Sequence, residues 1–170
     1  MHNLIPTVGQ VLEALRDEFV YPEVEPLGGR VSTVEHRPGA DVALDGLFEG
    51  DCDGLVWANV LRAFRTTAWP SESENLTPCQ GVPAALIQLG AARCVATLDD
   101  NGYAPDANAM EHDALVGLDD AQRLDRAACI AAARAEEHGF ILSSTRSGIE
   151  PIGPQGGVLA WVVTLNVQLA

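Results

Sequence analysis

Lysine is absent from this chain. Its 170 residues carry 24 acids against ten basic residues, all of them arginine, for a formal charge of −14. A surface of that sign repels nucleic acid rather than gripping it. No run approaches the roughly 18 apolar residues of a membrane span. Met1-His2-Asn3 lacks the basic start of a signal peptide. The expectation is a soluble protein, or part of a particle, assembled inside a cell. No Cys-x-x-Cys pair occurs among Cys52, Cys79, Cys94 and Cys129, and their spacings fit no zinc template. Cys94 and Cys129 lie in apolar runs and read as small core residues. Cys52 and Cys79 lie in polar stretches, which leaves a disulfide between them open; four reduced thiols is the expectation.

What is present begins with Val158–Leu169. Leu159, Trp161, Val163, Leu165, Val167 and Leu169 alternate with Ala160, Val162, Thr164, Asn166 and Gln168. That period of two predicts a strand with one buried face, the spine of the sheet. At 47% hydrophobic residues, the chain can bury the core of one domain over 1–170. Residues 7–20 read as a helix. Thr7 is placed as its N-cap, with Gln10 completing a capping box, and Val8, Val11, Leu12, Leu15 and Phe19 form its stripe. A short strand is predicted at 30–36, then a long polar loop at 38–53 with at most a short strand at Val42–Leu44.

Leu55–Thr67 and Val82–Leu98 read as an antiparallel pair joined by a protruding acidic loop at 69–80. Gly90 suggests a bulge in the second of them. A helical region from Asp106 to His138 is predicted to break near Gly117, with Asp119 or Asp120 capping its second part and Gly139 ending it. Phe140–Thr145 reads as a strand and Arg146–Gly157 as a Gly/Pro-rich loop. The fold class expected is α+β: one mostly antiparallel sheet, an N-terminal helix and one long helix on one face, and no second hydrophobic core.

Chemistry is sparse. Glu111-His112-Asp113 offers a weak metal-hydrolase reading, but the residues four positions on from Glu111 and His112 are Leu115 and Val116, so a solvated helix face is the simpler one. Glu136-Glu137-His138 suits a helix end. No Gly-x-Ser-x-Gly nucleophile turn exists. Gly153-Pro154-Gln155-Gly156-Gly157 lacks a lysine and a following helix, and reads as a hairpin turn rather than a phosphate cradle. Asp99-Asp100 and Asp119-Asp120 could take a divalent cation weakly, and turn and cap roles explain them equally well. No cofactor, metal site or catalytic residue is expected. Trp57 reads as core. Trp69, on a polar loop, is a candidate partner anchor. Arg62 and Arg65 could pair with acids of a neighbouring subunit. With Glu72, Glu74, Leu76, Arg146 and Gln155 they make the candidate interface.

The order of elements, together with Cys52-Asp53-Gly54-Leu55-Val56-Trp57, Ala91-Ala92-Arg93-Cys94-Val95-Ala96-Thr97, and Pro151–Gly157 followed by Trp161, resembles the tail terminator proteins of long-tailed bacteriophages, those of actinobacterial phages in particular. That resemblance implies a non-enzymatic virion protein forming a homo-oligomeric ring, typically a hexamer. Such a ring caps the tail tube protein, joins it to the head connector, and lets DNA pass without sequence-specific binding. An acidic wall would lower adhesion to phosphate. The alternative in the same setting is a head-closure or stopper protein.

Overall fold

The computed structural model describes residues 3–42, 44, 47, 52–73, 77, 79–98 and 101–170. Its elements are α1 (Leu4–Phe19), β1 (Val34–His36), β2 (Leu55–Thr66), β3 (Val82–Cys94), α2 (Ala107–Glu137), β4 (Ile141–Arg146), β5 (Glu150–Gln155) and β6 (Val158–Leu169). The strands form one sheet in the order β1-β2-β3-β6-β4, with β5 also beside β6. All pairs are antiparallel except β1 with β2. The fold is α+β, with both helices on one face.

β6 is an inner strand, flanked by β3 along one side and by β4 and β5 along the other. Its alternation sorts residues between two layers. Val163, Leu165, Val167 and Leu169 face the helices and meet Val11, Leu15 and Phe19 of α1 and Leu124, Ala128 and Ala131 of α2. The small alanines let α2 lie close to the sheet. Leu159 and Trp161, on the same face, are only half-buried.

The opposite face has its own apolar cluster, contrary to the single core expected. Leu55, Trp57, Ala92, Val158, Ala160 and Val162 are buried there under Leu47, with Val42 and Leu44 packed at the margin. Val42, Leu44, Leu47 and Cys52 of the 38–53 segment therefore cover the outer face. Val42 and Leu44 are not in a strand, and Ala43 lies outside the described residues. Asn59 is buried beneath this cover and donates to Gly39 O at 2.9 Å. Both faces of β2 are thus covered, as its apolar run required.

Several boundaries move for local reasons. α1 begins three residues before Thr7. Proline is tolerated in a first turn, where its missing N–H would be unpaired anyway, so Pro6 sits inside the helix. Thr7 is a helical residue whose hydroxyl donates to Asn3 O at 2.6 Å, and Asn3 is the N-cap residue. β1 is shorter than predicted, and β3 stops at Cys94. The Gly/Pro-rich segment before β6 contains β5, whose residues are all exposed; the Gly156-Gly157 turn after it was legible. Gly139 ends α2 with φ +69° as expected.

Two glycines were misread. α2 runs unbroken for 31 residues, about 46 Å. A β-carbon on Gly117 would stand 2.8 Å from Trp161 Nε1 and 3.0 Å from Leu159 Cδ2, so glycine is there to let the helix approach the sheet. Asp106 caps the helix, accepting from Asn108 N–H, which leaves Asp119 and Asp120 free for other work. Gly90 carries no bulge either. The register shift lies in β2, between Val60 and Arg62. Gly90 instead faces the Trp57 ring, which fills the space a β-carbon would need. Gly90→Ala should therefore lower stability by about 3 kcal/mol, the upper end of the usual overpacking cost. Because the cost is that one overlap, adding Gly90→Ala to a Trp57→Ala variant should cost almost nothing more. Urea denaturation of the two single variants and the double variant measures the coupling.

Candidate interaction surface

The predicted interface residues fall into three groups. Arg62, Arg65, Trp69 and Glu72 lie together at one end of the sheet. Arg146 is on β4, at the far margin. Gln155 is exposed at the end of β5. Glu74 and Leu76 lie outside the described residues.

The β2–β3 connection does not simply protrude. Register sets Arg62, Leu86 and Asn166 side by side in one row, all on the face away from the helices. Asn166 Nδ2 donates to Pro70 O at 3.0 Å, and Arg62 pairs with Glu72. Residues 68–73 are folded back over the outer face. The buried Thr66 anchors the fold-back. Its hydroxyl donates to Ser71 O at 2.5 Å and bonds Ser73 Oγ at 3.0 Å, while Ala68 N–H donates to Thr66 Oγ1 at 3.0 Å. Arg65 closes the return by donating to Gln80 O at 3.1 Å and Gly81 O at 2.8 Å. Trp69 is half-buried beside a shallow hollow of about 450 Å³ lined by Thr66, Ala68, Gly81, Val82 and Gln168.

Within the chain each of these arginines has a partner: Glu72 holds Arg62, backbone carbonyls hold Arg65, and Asp125 holds Arg146 at 2.7 Å.

A second polar centre was missed. Arg93, at the end of β3, makes five hydrogen bonds, one for each guanidinium N–H. Two go to Asp120, with Nε to Oδ2 at 2.8 Å and Nη2 to Oδ1 at 3.2 Å. The others reach the carbonyls of Gly28, Gly29 and Asp53. Burial pushes the Asp120 carboxyl above its ordinary pKa, and the Arg93 cation pulls it only part of the way back. The neighbouring Cys94 is bonded to Cys52. Four reduced thiols was thus incorrect, as was the alternative pairing of Cys52 with Cys79. Cys52 and Asp53 lie beside the end of β3, a tertiary neighbourhood that spacing does not encode. Cys79 and Cys129 are exposed free thiols, so Cys129 is no core residue. One signal for the Arg93 centre was available: a lone charge in A-A-R-C-V, and an acid four residues before Leu124 on the buried stripe of α2.

Asp119 and Arg123 make a companion staple. Arg123 donates to Asp119 Oδ2 at 2.9 Å, Glu18 O at 3.0 Å and Val24 O at 3.0 Å. Burial tends to raise the Asp119 pKa, but the Leu27 N–H and the Arg123 guanidinium outweigh it and hold the carboxyl below its usual value. A groove of about 680 Å³ runs beside this staple, lined by Asp17, Glu18, Arg126, Ile130 and Arg134. Arg126 pairs with Glu18 and Arg134 with Asp17, each at 2.9 Å. It is an ion-pair seam between α1 and α2, with its cations already matched.

Glu111 and His112 are exposed on α2, and Asp113 accepts from Ala96 N–H at 2.7 Å. Among the described residues no group of three or more His, Cys, Asp or Glu side chains could hold a metal ion. No helix among them is long and apolar enough to cross a membrane. Compared with models of known families and with curated proteins, the chain matches none.

Arg93→Ala should cost roughly 3–5 kcal/mol in urea denaturation, because it leaves Asp120 buried without its counter-charge. Asp119 gives a pH signature. Its folded pKa is depressed, so its stabilisation is present above the unfolded carboxylate value and fades as pH falls through the folded one, below about 4. Asp119→Asn should lower the urea midpoint at neutral pH, and that deficit should shrink on acidification. An equal deficit at both pH values would assign the loss to packing.

Proposed function

We propose that the chain is a structural assembly protein: a phage tail terminator whose copies form a ring, hexameric as in the family it resembles. The ring caps the tail tube and joins it to the head connector at the tail–head junction of the virion. The observation that carries this reading is the build of the β2–β3 connection. Two antiparallel strands can be joined by a two-residue turn, yet residues 67–81 form the connection here. A fixed polar network folds part of it back on the sheet and leaves Trp69 half-exposed beside a hollow. Order of this kind, in a segment whose described residues belong to neither apolar cluster, supports a surface shaped for a partner. The α+β sheet with helices on one side supports a rigid ring subunit. The acidity of the chain supports a channel that lets DNA pass.

Purified tail tubes and connector-bearing heads separate the terminator from a head-closure or stopper protein. A terminator halts tube elongation and cosediments with tubes; a stopper binds heads instead. Trp69→Ala should weaken tube binding by about thirtyfold or more, as loss of an interface anchor does, while the thermal midpoint stays near that of the unaltered protein. Unchanged binding removes Trp69 from the interface.

A further inference from the structure

The two margins of the sheet are stepped alike. On one, β1 pairs with Val56, Trp57 and Ala58 of β2, and Arg37 N–H donates to Ala58 O at 2.9 Å. From Val60 to Thr66 the outer side of β2 has no strand beside it among the described residues. On the other margin β5 pairs with one end of β6 and β4 with the other. The outer side of β4 likewise carries no strand among the described residues. A strand edge of this kind presents unpaired N–H and C=O groups.

Register puts the two open stretches level with each other. Ala63 pairs with Ala85, Ala85 with Val167, and Val167 with Ser144, a single row across the sheet. Direction agrees as well. β2, β3, β6 and β4 alternate, so β4 runs antiparallel to β2. A second copy displaced along the hydrogen-bond direction, with its helices on the same side, would set its β4 antiparallel to β2. Ser144 would then stand beside Ala63. Sheet twist turns that displacement into a rotation. A head-to-tail contact repeated by rotation closes a ring or continues as a helix.

We propose that the β2 edge Val60–Thr66 of one copy pairs with the β4 edge Ile141–Arg146 of a second copy, so that the sheet continues from subunit to subunit. This inference rests on the ring reading above and supplies its contact. Leu142, 63% exposed on β4, would gain cover. Charge does not oppose this arrangement. The arginines at the two edges, Arg62 on β2 and Arg146 on β4, are each matched within the chain, by Glu72 and Asp125.

Cross-linking tests the contact. In a Cys79→Ser, Cys129→Ser background, which leaves the Cys52–Cys94 bond intact, Ala63→Cys and Ser144→Cys variants are mixed in equal amounts. The mixture is oxidised with glutathione disulfide at millimolar protein, alone and on purified tail tubes. The mixed 63–144 product should exceed either like-with-like product by about tenfold. Predominance of the 63–63 product would replace the proposal with a two-fold β2–β2 dimer. Absence of all three products in both settings overturns the edge contact. Tube capping by the uncross-linked background protein judges the ring reading separately. Capping without a 63–144 product keeps the ring and rejects this contact; no capping and no product rejects both.

Discussion

The Arg93 guanidinium holds together parts of the chain that would otherwise meet only through apolar contact. It lies at the end of β3, is 9% exposed, and joins α2 through Asp120 to the 28–29 and 52–53 segments. Taking a cation and a carboxylate out of water is expensive, and the gain repays it only when every donor finds an acceptor. Here the five donors have five acceptors. The adjoining Cys94 fixes the start of the return to β2 by its bond to Cys52. In the chain-entropy account a link across 42 residues stabilises by about 4 kcal/mol. One dipeptide thus orients the long helix on one face of the sheet and the covering loop on the other.

With that end fixed, the rest of the sheet divides into levels. Where β1 and β5 lie, the outer face is closed by Leu47 over Trp57, Ala160 and Val162. At the other level it is closed by residues 68–73, tied to Asn166 and Arg62. Both faces of the sheet therefore carry cover, and the in-plane margins of β2 and β4 carry no strand among the described residues. A subunit that extends sideways through its margins keeps its cores dry and its faces unchanged. The outer-face surface around Trp69 then remains available for a different partner. Lateral and axial contacts of a ring would fall on separate parts of the molecule.

Much of the architecture was legible because it follows local periodicity. The alternation of Val158–Leu169, the stripe of α1, the alanines of α2 and the stop at Gly139 each report on a few residues and their own backbone. The misreadings of single residues share one cause. Gly90 and Gly117 looked like breaks because their missing side chains were judged against the backbone alone; Trp57 and Trp161, distant in sequence, occupy the space. Asp119 and Asp120 looked like caps until Arg123 and Arg93 came to them. Cys52 could not be matched with Cys94 without knowing that residues 52–53 lie beside the end of β3. Of the candidate interface residues, the sequence singled out Arg62 and Glu72 but not that the two pair with each other.

By itself, then, the sequence determined most of the elements, the fold class, the acid excess and which strand is the spine, since hydrophobic period and charge are properties of neighbouring residues. The tertiary structure decided which glycines make room for a tryptophan, which acids are buried, which cysteines join, and that the margins of β2 and β4 stand level. Each of those depends on strand register and helix docking, which bring together side chains separated by tens of residues, and no local pattern encodes such a distance.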